Sequence, residues 1–124
     1  MELTLDHARS LVMAYREHIF SKNLDAILDA LTDDAMLQLT GQQELSGKEA
    51  IGNFYRQCFA TDQYDFQLNI TDEKIVSDLV FINGHMTRVS EKAGQPDDVD
   101  NLDFSFILKR DKGKTPKIWK IRIV

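Results

Sequence analysis

One acidic residue, Asp103, stands inside the most apolar strand-like run of the chain, residues 102–108. Because burying a free carboxylate is costly, an acid that faces a pocket is a candidate for catalysis or ligand binding. Strand alternation places Asp103 with Ser105 on one side and Phe104 and Phe106 on the other. Taken alone, this alternation favours a solvated Asp103 on the outer face of a sheet. The sequence therefore leaves two positions open for Asp103, one in a cavity and one in solvent.

A histidine on a neighbouring strand is the second candidate for chemistry. His85 shares a predicted strand face with Phe81, Asn83 and Thr87. Histidine is the natural general base near neutral pH, so His85 could take a proton from a ligand in a cavity lined by Phe81 and Asn83. The alternative is an inert, half-buried histidine.

Several predicted elements must position these residues. The first half of the sequence shows mainly helical periodicity. Apolar residues repeat every three or four positions from about residue 5 to residue 21, and again from behind Asn23, a candidate N-cap, to about Asp33. A strand is predicted over residues 36–40. A third amphipathic helix follows the capping-box sequence Ser46–Glu49.

Beyond residue 62 the apolar period changes from about four to two, which indicates strands. We predict strands over residues 64–70, 79–90, 101–110 and 118–123, with a turn at 111–114 closing the last hairpin. The segment between residues 91 and 100 contains a glycine, a proline and three aspartates. It is predicted to be a mobile acidic loop.

Composition excludes several classes of function. The chain has 124 residues and a formal net charge of −5, which argues against a nucleic-acid or anionic-membrane surface. A single cysteine, Cys58, cannot form an intrachain disulfide. No apolar run reaches transmembrane length, and no spacing matches a metal site. We therefore expect a cytoplasmic protein without metal or cofactor.

The order of elements resembles the nuclear transport factor 2-like superfamily, and within it the ketosteroid isomerase-like and SnoaL-like polyketide cyclase branch. The resemblance covers nearly the whole chain, so residues 1–124 are expected to form a single SnoaL-like domain. It implies an α+β fold in which a cone-shaped, curved antiparallel sheet wraps around three N-terminal helices and encloses a cavity. The segments that carry it are Asn23–Ile27, Leu31–Ala35, Ser46–Ile51 and Ile118–Ile121.

The resemblance to ketosteroid isomerase also implies roles for individual residues. Tyr15 is similar to the tyrosine that donates to the substrate oxyanion, and Asp103 to the protonated aspartic acid that donates beside it. Tyr55 is similar to a second tyrosine that supports this network. The position of the proton-shuttling aspartate falls on Leu39, which cannot act as a base.

The apolar face opposite Asp103 has a consequence for assembly. If Asp103 faces the cavity, then Phe104, Phe106 and Leu108 lie on the outer face of the sheet. A contiguous apolar strip of this kind needs a cover, and a second copy of the chain would supply one. We therefore expect a homodimer.

The function that follows is binding of a small apolar or aromatic molecule with a carbonyl or phenolic oxygen. Tyr15 and Asp103 are the expected hydrogen-bond donors, and Tyr55, Leu39 and Phe54 the expected cavity contacts.

Two alternatives to simple binding remain open at this point. The first is an isomerase, dehydratase or cyclase that uses His85 or a bound water as its base. The second is a protein-interaction module that uses the outer face of the sheet. The sequence does not decide whether the protein is an enzyme, because the usual base is replaced by Leu39.

Overall fold

The chain forms a mixed α+β fold, and the computed structural model describes residues 5–61, 63–91, 98–110 and 116–124. Helices and strands follow in the predicted order, apart from one two-residue strand that was not predicted. The helices lie in the N-terminal half, and the strands form a curved, open six-stranded sheet. The elements are α1 (Leu5–Phe20), α2 (Leu24–Asp29), β1 (Leu31–Leu39), β2 (Leu45–Ser46), α3 (Lys48–Thr61), β3 (Gln63–Val76), β4 (Leu79–Glu91), β5 (Asp98–Lys109) and β6 (Lys117–Ile123).

The strand order across the sheet is β2-β1-β6-β5-β4-β3. Strands β3, β4, β5 and β6 form an antiparallel meander, whereas β6 pairs with β1 in parallel, from Leu31 beside Ile118 to Leu39 beside Ile123. The expected sheet was antiparallel throughout. The parallel pair arises because β6 returns along the inner edge of β1, which places β6 between the two halves of the sheet.

Helix α2 is shorter than its apolar pattern predicts. The side chain of Asn23 caps its first turn by accepting a hydrogen bond from the amide of Ala26, as predicted. The helix ends at Asp29, because the carbonyl of Ala30 accepts a hydrogen bond from Ile118 of β6 and the chain then continues as β1. Tertiary pairing therefore overrides the helical pattern at Leu31.

The predicted acidic loop and the last hairpin turn fall only partly within the described structure. Residues 92–97 and 111–115 lie outside it. Residues 98–100 belong to β5. Strand β3 also runs further than predicted, to Val76, across a register shift between Ile70 and Asp72.

The core lies between the inner face of the sheet and helices α1 and α3. Alternate residues of β4 and β5 point into it, including Phe104, Phe106 and Leu108, which are all buried within one chain. The prediction that these three residues form an outer strip was therefore wrong. The apolar side of β5 faces the helices, because burying that side removes the largest apolar area from water.

Gly84 of β4 allows two neighbours to approach the inner face closely. A Cβ atom at this position would lie 2.1 Å from the carbonyl oxygen of Asn69 and 2.8 Å from Cζ of Phe104. The register shift of β3 begins at Ile70, the strand partner of Gly84. Because Gly84 has no side chain, the β3 backbone and the Phe104 ring can pack directly against β4.

Candidate functional site

A cavity of about 410 Å³ lies among α1, α3 and the inner face of the sheet. Its wall is mainly apolar and aromatic, and its polar groups come from a tyrosine, two glutamines, a cysteine and an arginine. The lining residues are Ile19, Leu39, Gln42, Phe54, Tyr55, Gln57, Cys58, Phe59, Phe66, Met86, Arg88 and Ile123. Apolar walls with a few polar groups are typical of small-molecule sites.

Two buried tyrosine hydroxyls meet in the core, and one of the two residues, Tyr55, lines this cavity. The hydroxyl oxygens of Tyr15 and Tyr55 lie 2.6 Å apart, and the residues are 2% and 7% exposed. Helix α1 places Tyr15 on its buried stripe, and α3 places Tyr55 on the facing stripe, where Phe59 stacks on its ring. Tyr15 also packs edge-on against Phe106. The aromatic packing fixes both hydroxyls.

Both tyrosines are neutral at physiological pH. Burial raises the pKa of the Tyr15 hydroxyl well above its ordinary value, and the neighbouring Tyr55 hydroxyl raises it further. Burial also raises the pKa of the Tyr55 hydroxyl, although its hydrogen bond with Tyr15 acts in the opposite direction. Neutral phenols donate hydrogen bonds, so the pair is suited to stabilising an oxygen rather than removing a proton.

The tyrosine pair has one more O–H donor than it uses. Two hydroxyl protons share one O–H···O contact, and among the described residues no further hydrogen bond involves either hydroxyl. A buried donor without an acceptor costs free energy. Since Tyr55 lines the cavity, an acceptor placed there can take the second proton.

Groups for proton transfer or metal binding are scarce in the described part of the site. The described lining residues include no carboxylate and no imidazole. Within the same part of the chain, no cluster of three or more histidine, cysteine or acidic side chains could hold a metal ion. The lining polar groups therefore supply hydrogen-bond donors and acceptors rather than an evident base.

The structure corrects the placement of Asp103 and His85. Both side chains are 68% exposed on the outer face, where Nδ1 of His85 lies 2.6 Å from Oδ1 of Asp103. They are directly paired across β4 and β5. Asp103 therefore cannot donate beside Tyr15, and His85 cannot act as a base in the cavity.

The remaining predicted contacts divide between the two faces of the sheet. Leu39 and Phe54 line the cavity with Tyr55. Phe81 and Asn83 are half-buried on the outer face, and Nδ2 of Asn83 donates to Asp72 at 3.3 Å. The wrong placements of Asp103, His85, Phe81 and Asn83 have one cause. The two faces of the strands were exchanged, and such an exchange moves every side chain to the other side of the sheet.

Arg88 is the main site residue that the sequence reasoning missed. It follows Ile82, Gly84 and Met86 at intervals of two along β4, and these three are buried. The apolar residues Val80, Ile82 and Met86 could have identified Arg88, because they mark the inner face of β4 and Arg88 lies on the same face. His85 lies on the opposite face. Two residues of α3, Gln57 and Cys58, were also missed. Helical periodicity alone does not show which residues of a helix line a cavity.

The fold and sequence together define the family. The model of the SnoaL-like domain family matches residues 12–115, and the chain therefore belongs to the SnoaL-like family. No protein of curated function matches it in sequence.

Solved structures support the same fold at low sequence identity. A ketosteroid isomerase-like protein from Erwinia carotovora atroseptica superposes with a TM-score of 0.86 at 17% identity, covering 99% of this chain and 96% of that one. A protein from Novosphingobium aromaticivorans, named for a proposed aromatic ring hydroxylase activity, gives 0.85 at 19% identity, covering 98% and 90%. No helix among the described residues is long and apolar enough to cross a membrane.

Proposed function

We propose that the protein binds a small apolar or aromatic molecule in its cavity and that a carbonyl or phenolic oxygen of this ligand accepts a hydrogen bond from the tyrosine pair. The observation that carries the proposal is the surplus O–H donor of the Tyr15–Tyr55 pair, of which Tyr55 lines the cavity. The SnoaL-like family membership agrees with it, because family folds of this kind host ligand-binding proteins as well as isomerases and cyclases.

Binding is a better-supported proposal than proton transfer. The described lining contains no carboxylate or imidazole, and both tyrosines hold their protons. Leu39 occupies the position expected for a base and presents only an apolar side chain to the cavity. The cavity therefore offers an apolar surface and a hydrogen bond for orientation.

Titration calorimetry with 2-naphthol and naphthalene tests this proposal. The two probes differ by one hydroxyl, so we expect 2-naphthol to bind about 3- to 10-fold more tightly, which is the contribution of one net hydrogen bond. Tyr55→Phe should reduce this difference. His85→Ala on the outer face is the matched control and should leave both affinities unchanged.

Two results would contradict the proposed function. One is the absence of saturable binding of either probe at any concentration that remains soluble. The other is equal affinity for the two probes in the wild-type protein, because the surplus donor would then contribute nothing to recognition.

We further propose that two copies of the chain associate through the outer face of the sheet. Phe104, Phe106 and Leu108 are buried in the core and cannot form this interface, so side chains of the outer face must form it. Phe81 and Ile107 are paired and half-buried on that face. The ring of Trp119 lies 4.3 Å from Nζ of Lys120, the strand partner of Ile107. Apolar side chains there would gain burial from a partner.

Sedimentation at micromolar concentration tests the association. We expect a dimer for the wild-type protein and a folded monomer for Ile107→Asp, since a charge at this position would oppose close contact between two sheets. A wild-type monomer would overturn the proposal. A cytoplasmic location stays a prediction from the sequence.

A further inference from the structure

Arg88 is a charged side chain on an otherwise apolar stripe that faces the cavity. It follows Met86 on the inner side of β4, and its side chain is only 31% exposed. Its strand partners are Phe66 of β3, which also lines the cavity, and Asp100 of β5. Placing a guanidinium here costs desolvation that an aliphatic residue would avoid.

Asp100 is one ion-pair partner of Arg88, and its side chain is the more exposed of the two. Nη2 of Arg88 is 2.8 Å from Oδ2 of Asp100, and the side chain of Asp100 is 45% exposed against 31% for Arg88. A partly exposed ion pair is weak, because water and salt screen it. Because this ion pair is weak, a carboxylate in the cavity can compete with Asp100 for Arg88.

The described part of the cavity wall carries a cationic side chain, whereas the whole protein is acidic. Among the described residues that line the cavity, Arg88 is the one charged group, whereas the chain carries a formal net charge of −5. A planar guanidinium can bind both oxygens of a carboxylate in a fork. Within the cavity, charge complementarity therefore favours an anionic group next to Arg88.

We infer that the ligand is an organic acid, with an aromatic or apolar body in the cavity and a carboxylate held by Arg88. This inference rests on the proposed function, because it specifies the ligand of the same cavity. The carboxylate competes with Asp100 for the guanidinium, since both are anions at one cation.

The test compares 2-naphthoate with 2-naphthamide by titration calorimetry on the intact chain. The two probes share the bicyclic body and differ in charge. We expect 2-naphthoate to bind about 10-fold more tightly, because a hydrogen bond to a charged group contributes more than a neutral one. Added salt should weaken binding of the acid and leave binding of the amide nearly unchanged.

Three variants locate the effect. Arg88→Gln should abolish the preference for the acid while the amide still binds. Arg122→Gln on the outer face removes the same charge from an exposed position and should preserve the preference. Asp100→Asn should increase the preference, because it removes the competing anion. Thermal unfolding of each variant checks that it is folded.

The outcomes separate this inference from the proposed function. If 2-naphthamide and 2-naphthol bind but the acid shows no advantage, the organic-acid inference is wrong and the binding function stands. An acid preference that Arg88→Gln leaves intact also overturns the inference. A smaller preference in Asp100→Asn would overturn the competition between Asp100 and the ligand. If none of the probes binds, both proposals fail.

Discussion

The hydrogen bond between Tyr15 and Tyr55 joins two hydroxyls that water scarcely reaches. Removing either hydroxyl leaves the other buried without its partner, so Tyr15→Phe and Tyr55→Phe should each destabilise the protein by about 1–3 kcal/mol. The double variant has no orphaned hydroxyl and should cost less than the sum of the two. Urea unfolding of the four proteins measures this coupling. Strictly additive costs would show that the two hydroxyls do not interact.

The same two tyrosines predict how stability changes at alkaline pH. Their pKa values are raised in the native state, whereas an unfolded tyrosine ionises near pH 10. Below about pH 10 both states hold the proton, and above it only the unfolded chain releases it. Each tyrosine should therefore lower the unfolding free energy by about 1.4 kcal/mol per pH unit, until the native pKa is reached.

The variant Tyr15→Phe isolates the contribution of Tyr15 to this loss of unfolding free energy at alkaline pH. Chemical unfolding of the wild type and the variant, followed from neutral pH to above pH 10 or so, should show a shallower decline for the variant. Other groups titrate in the same range, but they are common to both proteins and cancel in the difference. Parallel declines would mean that Tyr15 loses its proton as readily in the native state as in the unfolded one.

Two glycines in regular elements should respond to alanine in opposite directions. At Gly84 in β4 the new Cβ would collide with the backbone of Asn69, so Gly84→Ala should cost several kcal/mol, on the order of a severe core substitution. At Gly52 in α3 the nearest atom is a methyl carbon of Leu28 at 3.5 Å, an ordinary contact. Gly52→Ala should therefore stabilise the helix by about 0.5–1 kcal/mol.

Thermal unfolding of the two glycine variants checks this contrast. Gly52→Ala is the control for loss of a glycine as such, because it removes the same backbone freedom from the unfolded chain. A Gly84→Ala protein as stable as wild type would show that β3 can move away from β4 without penalty.

Strand periodicity predicted where β4 and β5 lie but not which way they face. The fold class, the helices and the approximate strand positions follow from apolar period and capping residues, and the structure confirms them. The face of a strand depends on which side meets the helices, which is a tertiary question. Choosing the side of Asp103 placed His85 in the cavity and Arg88 outside it. The apolar series on β4 was the better guide, because burial of apolar area dominates folding.

At the scale of the whole molecule, the sequence predicts Phe106 at an interface between two copies, but the structure buries it in the core of one chain. Its ring is buried against Tyr15 and Phe104 in a single chain. Phe106→Asp should therefore unfold the protein rather than dissociate a dimer, and Phe106→Ala should cost about 3–5 kcal/mol. Circular dichroism with sedimentation distinguishes these outcomes. A folded monomeric Phe106→Asp protein would contradict the core assignment.

The interior position of β6 has a consequence for the time course of folding. Strands β3, β4 and β5 can pair through contacts between neighbouring strands, but Leu31 of β1 must wait for Ile118. Closing so long a segment is entropically costly and slows folding. We expect the meander to form first and β1 to be added late. Ile82→Val in β4 should then mainly slow refolding, and Leu37→Ala in β1 should mainly speed unfolding, as measured by stopped-flow chevrons. Until β1 pairs with β6, the wall that carries Leu39 is missing, so the cavity is among the last parts of the protein to form.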